Sequence, residues 1–307
     1  MHLISAIVAT AFLLFLGTAY FLTEIRRISA SLWPAAIRCA PFLLAALPRI
    51  SMDSQTSHAL QNLDAFFAEH PRLAIGFSGG CDSSFLVDAA VRAGVNVSVY
   101  LAQSAFQPAF ECEDARELCN RFNLVLHIIP VDVLSDPQIA DNPPNRCYLC
   151  KKVIFSQIIA HARSDGFDTV CDGTNASDEI ESRPGWRALQ ELGVLSPLRI
   201  SGLTKMQIRK ISAMRGLPTA YKPAYACLAT RFATGTHLTE PDLRRIESAE
   251  TSLRNLGFTD FRIRCFHGAA RLQFIEPELQ RAVSLRYDIR SLLTEYFDTI
   301  LIDTQTR

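Results

Sequence analysis

Gly76-Phe77-Ser78-Gly79-Gly80-Cys81-Asp82-Ser83-Ser84 is the stretch whose reading decides the fold. The apolar run Leu73-Ala74-Ile75 before it fits a short buried strand. Phe85-Leu86-Val87-Asp88-Ala89-Ala90-Val91 after it carries apolar residues at helical spacing. The stretch is therefore a strand-to-helix turn. Gly79 and Gly80 let the backbone approach a ligand closely, and Ser78, Ser83, Ser84 and the helix N-terminus offer donors to an anion. A Walker A loop is excluded, because no Gly-Lys-Ser/Thr follows at the required spacing. A glycine-rich turn without catalytic meaning is the bland alternative.

Working outward, residues 58 to about 220 alternate strand and helix. Residues 58–69 are amphipathic, with Leu60, Leu63, Phe66 and Phe67 on one side. Strands are expected at 73–77, 97–101, 124–129 and 169–171, with helices at 84–93, 109–122 and 150–163 between them. Such βαβ alternation predicts an α/β fold, a doubly wound parallel sheet with ligands at the carboxyl ends of its strands. Past residue 236 the order changes to helix 240–256, strands 261–266 and 271–275 around a His267-Gly268 turn, a helix over 277–296 and a strand at 299–302. That part reads as a small α+β unit. The expected organisation is an apolar extension at 1–52, a nucleotide-binding domain at 53–235 and a C-terminal α+β domain at 236–307.

The chain has 307 residues, 49% of them hydrophobic, which is enough for a large core and two domains. Its 31 basic and 31 acidic residues cancel, so no global field draws it to nucleic acid. Nine cysteines on so long a chain favour reduced thiols with metal or catalytic uses. Residues 4–22 hold no charge and are just long enough for one membrane span. Two readings stay open there. One is an uncleaved anchor, with Arg26, Arg27 and Arg38 holding the catalytic part in the cytoplasm. The other is a start assigned too far upstream, with Met52 opening the true chain.

Three further motifs carry chemistry. In Asn145-Arg146-Cys147-Tyr148-Leu149-Cys150-Lys151-Lys152, the Cys-x-x-Cys pair suits a redox couple, half a zinc site or part of an iron–sulfur site. The helix start together with Arg146, Lys151 and Lys152 is expected to favour thiolates there. In Lys222-Pro223-Ala224-Tyr225-Ala226-Cys227-Leu228-Ala229-Thr230-Arg231, the two terminal cations would lower the Cys227 pKa if they lie close to it. In Asp172-Gly173-Thr174-Asn175-Ala176-Ser177-Asp178, Asp172 or Asp178 is a candidate magnesium ligand, as is Asp82. Arg262 and Arg264 alternate on one strand face and suit a bidentate anion. Cys39, Cys81, Cys112, Cys119, Cys171 and Cys265 have no partner spacing and are read as structural.

Ser-Gly-Gly-x-Asp-Ser resembles the pyrophosphate loop of the ATP pyrophosphatases. With the motifs above, Arg183-Pro184-Gly185, Ser196-Pro197-Leu198 and Gly202-Leu203-Thr204-Lys205, residues 58 to about 303 resemble the LarE-type ATP-dependent sulfur transferases of that superfamily, whose fold is adenine nucleotide alpha hydrolase-like. The resemblance implies ATP and Mg2+ as cofactors, with Ser78, Gly79, Gly80, Asp82, Ser83 and Ser84 at the nucleotide and Ser78, Asp82 and Cys227 as catalytic residues. It implies adenylation of a carboxylate of pyridinium-3,5-biscarboxylic acid mononucleotide, then conversion to a thiocarboxylate on the way to a nickel-pincer nucleotide. In some members the sulfur comes from a cysteine matching Cys227, which becomes dehydroalanine. In others three cysteines, here Cys147, Cys150 and Cys227, hold a [4Fe-4S] cluster. The expected partners are the small mononucleotide and further copies of the chain in a homo-oligomer, without nucleic acid. Departures from the family pattern are Cys81 in place of valine, Gln273 where Arg-x-Glu is usual, and a different C-terminal tail. A tRNA-thiolating or amide-forming enzyme, or a non-catalytic membrane-tethered nucleotide sensor, are the competing functions.

Overall fold

The computed structural model describes residues 53–180 and 183–306, so the apolar extension and Cys39 lie outside it. The elements run α1 (Ser54–Glu69), β1 (Arg72–Gly76), α2 (Cys81–Arg92), β2 (Asn96–Gln103), α3 (Ala109–Arg121), β3 (Leu126–Pro130), α4 (Pro137–Ala140), α5 (Arg146–Ser164) and β4 (Val170–Cys171). They continue with α6 (Pro184–Glu191), α7 (Pro197–Ile200), α8 (Lys205–Met214), two single 3-10 turns at Pro218–Tyr221 and Leu228–Arg231, and α9 (Glu240–Asn255). The chain closes with β5 (Phe261–Phe266), β6 (Ala269–Phe274), α10 (Glu276–Ser284), α11 (Arg286–Leu293) and β7 (Ile300–Ile302). Among the described residues no helix is long and apolar enough to cross a membrane.

The first four strands form one parallel sheet in the order β3-β2-β1-β4. Leu73, Ala74 and Ile75 of β1 are fully buried, as a central parallel strand covered by helices on both faces must be. The chain leaves β1 toward β2 on one side and meets β4 on the other. The crevice at the carboxyl ends of β1 and β4 is thus a topological switch point, where doubly wound folds bind ligands. Both the 76–84 turn and the Asp172–Thr174 turn open into it.

The second sheet joins β5 and β6 as an antiparallel hairpin and adds β7 parallel to β6. One apolar cluster runs from Ala74, Tyr100, Phe155 and Ile158 beside the first sheet to Leu243, Ile246, Ile263 and Phe274 of the second. Ser54–Arg307 is one compact unit.

Several sequence-based boundaries differ from the structure. Helix α5 starts at Arg146 rather than at residue 150, because Arg146 N–H already bonds Pro143 C=O at 2.9 Å. Both cysteines of the pair therefore lie inside the helix's first turns. The helix expected over 277–296 is two helices meeting at Leu285, whose φ −93° and ψ 19° cap one and open the next. Helix α8 was not foreseen, although Thr204 and Gln207 form a complete capping box at its start.

Candidate functional site

Gly80 is the N-cap residue of α2 and provides no side-chain cap, so the first-turn amides of this helix face the crevice. The turn is knitted by its own hydroxyls. Ser78 N–H donates to Ser83 Oγ at 3.4 Å, the two hydroxyls lie 3.2 Å apart, and Ser83 Oγ donates to Gly80 C=O at 3.3 Å. Gly79 has φ 67°, and a Cβ there would meet the Glu111 carbonyl oxygen at 3.0 Å. Only glycine relieves both constraints. Lys222 Nζ donates to Gly79 C=O at 2.8 Å and to Asp114 at 2.6 Å, tying this turn to the loop that carries Cys227.

Asp82 pairs with Lys205 Nζ at 2.6 Å through Oδ2, while its Oδ1 is buried with no hydrogen-bond partner among the described residues. Burial pushes the Asp82 carboxyl up despite Lys205. A buried, unpartnered carboxylate oxygen facing a phosphate loop is a fitting donor for Mg2+. The other two acidic candidates are occupied. Asp172 accepts from Ser196 Oγ at 2.5 Å and from Thr174 Oγ1. Asp178 accepts from Asn175 N–H at 2.9 Å and pairs with Arg183 at 2.9 Å. Asp172 thus braces the turn after β4, and Asp178 closes the turn that follows.

At the far end of the same loop three cysteines converge. Arg146 Nη2 donates to Cys147 Sγ at 3.6 Å and to Cys227 Sγ at 3.7 Å, and Cys150 lies within electrostatic reach of both thiols. Arg146 is buried, its Nη1 is held by Asn142 Oδ1, and no carboxylate pairs with it among the described residues. A buried cation without a carboxylate needs another counter-charge, and the groups beside Arg146 are the Cys147 and Cys227 sulfurs and the Phe106 ring, 5.9 Å away. For Cys150 and Cys227 the expectation of a lowered thiol pKa does not hold. Burial pushes Cys150 up to about 12 and also raises Cys227, against the pull of Arg146. Of the two cations expected to lower the Cys227 pKa, Arg231 does pull it down although it is paired with Glu250, whereas Lys222 is held by Gly79 C=O and Asp114; burial outweighs that pull.

A [4Fe-4S] cluster fits this donor set in chemistry, three thiols from two elements. Among the described residues no three His, Cys, Asp or Glu side chains are placed to hold a single metal ion. Each thiol of a cluster meets a different iron, so the ligands stand farther apart than around one ion.

Residues 224–230 are clamped by arginines. Arg231 pairs bidentately with Glu250 at 2.8 and 3.1 Å, both side chains fully buried, and its Nη1 donates to Ala226 C=O at 2.8 Å. Arg262 donates to Ala224 C=O, and Arg264 to Thr230 C=O at 2.6 Å. Burial and the neighbouring Arg231 lower Arg262 to about 10, and burial with Arg231 and Arg271 lowers Arg264. The two β5 arginines therefore face the Cys227 loop. His267 lies apart from them, in the hairpin turn with φ 50°.

Lys205, Gly173, Asn142 and Glu250 are site residues that motif reading passed over as individuals. Lys205 and Gly173 sit in quoted motifs, and the Thr204–Gln207 capping box places Lys205 at a helix start. Asn142 and Glu250 carry no local signal.

A four-stranded parallel sheet whose first strand delivers Ser-Gly-Gly-x-Asp-Ser onto an uncapped helix defines a PP-loop ATP pyrophosphatase. No model of a known protein family matches the chain. Individual proteins do. Over 225 residues it is 34% identical to an uncharacterised protein of Synechocystis sp., covering 73% of this chain and 84% of that one. It is 31% identical to the pyridinium-3,5-bisthiocarboxylic acid mononucleotide synthase of Lactiplantibacillus plantarum over 68% of this chain and 76% of that enzyme. A tRNA-specific 2-thiouridylase of Thermobifida fusca is 28% identical over half of each chain. The chain belongs to the LarE-type family of ATP-dependent sulfur transferases within the PP-loop superfamily.

Proposed function

We propose that this protein adenylates a carboxylate of a pyridinium dicarboxylate mononucleotide with ATP and then exchanges the adenylate for sulfur, giving a thiocarboxylate. In the first step the substrate carboxylate oxygen attacks the α-phosphorus, and pyrophosphate leaves onto the amides and hydroxyls of Ser78–Ser84. Asp82 Oδ1 would hold Mg2+ on the departing phosphates, and Lys205 and Lys222 add positive charge beside them. In the second step a sulfur nucleophile attacks the acyl carbon and AMP departs. Cys147, Cys150 and Cys227 would hold a [4Fe-4S] cluster, which supplies exchangeable sulfide when bound. Arg262 and Arg264 are read as the site for the substrate's phosphate monoester.

The observation that carries this reading is the meeting of Cys147 and Cys150 of α5 with Cys227 around Arg146, Cys227 lying on a loop whose other end touches the pyrophosphate turn. The name of the Lactiplantibacillus relative supports the choice of acceptor. The test is anaerobic purification followed by iron and sulfide assay of wild type and of Cys147→Ala, Cys150→Ala and Cys227→Ala. Each variant should lose the brown chromophore and sulfur transfer while keeping substrate-dependent pyrophosphate release. An iron-free wild type that converts one equivalent of substrate, with Cys227 losing the mass of hydrogen sulfide, would replace the cluster by a sacrificial cysteine. ADP and phosphate as products would overturn the adenylation itself.

A further inference from the structure

Register in the β5–β6 hairpin sets Arg262 opposite Gln273 and Arg264 opposite Arg271. One face thus carries three guanidiniums and a carboxamide. Like charges directly opposite each other destabilise a hairpin unless counter-charge is present. The carboxylates near this face are already distributed. Glu250 is taken up by Arg231, Tyr225 and Ile263 N–H. Asp303, just past β7, pairs with Arg271 at 2.6 Å. Asp260 stands 3.8 Å from Arg262.

Arg264 forms no ion pair with any of them, and Glu250 acts on it only at a distance. Its Nε donates to Gln273 Oε1 at 2.5 Å and its Nη1 to Thr230 C=O, leaving Nη2 without a protein partner among the described residues. Gln273 Nε2 in turn donates to Asp303 Oδ2 at 2.9 Å. An amide can do both because it has an acceptor at one atom and donors at the other. A carboxylate at 273 would neutralise Arg264 and repel Asp303.

We propose that Gln273 is a specificity-determining residue. By orienting Arg264 with a neutral acceptor, it keeps the guanidinium's full charge and its free Nη2 for an incoming dianion, a phosphate monoester. This rests on the reading of the β5 arginines as the substrate-phosphate site. It adds that a side chain which need not touch the ligand sets how strongly that site holds it.

The test compares wild type, Gln273→Glu and Gln273→Glu/Asp303→Asn by calorimetry, with inorganic phosphate and nicotinic acid mononucleotide as probes. The double variant removes the Glu–Asp repulsion, so it reports on charge even where the single variant folds poorly. Both should bind each probe at least tenfold more weakly than wild type, with ATP affinity unchanged. In turnover the KM for the mononucleotide should rise while kcat stays level. Equal affinity of wild type and double variant for both probes would overturn the proposal, as would a wild type that binds neither. If phosphate binding falls in the variants while no protein binds the mononucleotide, the role of Gln273 stands and the choice of substrate fails.

Discussion

A single methyl group at Gly173 tests whether the switch-point crevice is built as described. Gly173 follows β4, and a Cβ placed on it would lie 2.8 Å from Ser83 N, 3.1 Å from Ser83 Cα and 3.3 Å from the Asp82 carbonyl carbon. All three are backbone atoms in the first turn of α2, so no side chain can swing aside. The Asp172–Thr174 turn and the pyrophosphate turn would have to separate. Over-packing of this kind costs about 1–3 kcal/mol, and each kcal/mol lowers the Tm of a domain this size by about 2–4 °C. Separation also shifts Asp82 and the α2 amides off the phosphates, and misplacement of about 1 Å can cost on the order of a hundredfold in rate. Gly193→Ala is the control. Gly193 has φ 69° but nothing within 4 Å of an added Cβ, so it carries only left-handed strain of about 1–2 kcal/mol. Thermal melts and substrate-dependent pyrophosphate release should show Gly173→Ala losing both stability and most of the rate, with Gly193→Ala losing stability alone. Gly173→Ala with wild-type melting and wild-type rate would refute the close approach of the two turns.

Gly79→Val should abolish pyrophosphate release, since it adds bulk against the Glu111 carbonyl at a left-handed φ, and Asp82→Ala should cripple it while leaving a folded protein by circular dichroism. Burial pushes Glu111 up to about 7 from an ordinary 4.5. A carboxyl whose folded pKa is raised binds extra protons in the native state, so stability falls as pH rises from 4.5 to 7. Glu111→Gln should therefore gain on wild type across that window and hold the gain above it, measured by urea unfolding at pH 5 and pH 8. A chain beginning at Met52 should fold and keep full activity, because Ser54–Arg307 is one compact unit; an unfolded product would show that earlier residues belong to the core.

Local spacing already contains the βαβ alternation, the strand-to-helix turn at 76–84 and the facing of Cys147 and Cys150, because each depends on residues within a few positions. Charge pairing does not work at that range. Arg146 reads in sequence as one more cation beside a cysteine pair, yet it bonds both its neighbour Cys147 and Cys227, which is 81 positions from Arg146. Arg262 and Arg264 read in sequence only as an anion grip, and folding adds that each also donates to a carbonyl of the Cys227 loop. Asp82, Asp172 and Asp178 read alike as candidate magnesium ligands, and only folding shows that Asp172 accepts from two hydroxyls while Asp82 keeps an oxygen without a protein partner among the described residues. The Cys150 and Cys227 pKa values lie on the opposite side of expectation for the same reason. Sequence shows which charges are near along the chain, whereas desolvation depends on what the tertiary packing lays over them, and for Cys150 and Cys227 that burial outweighs the cations.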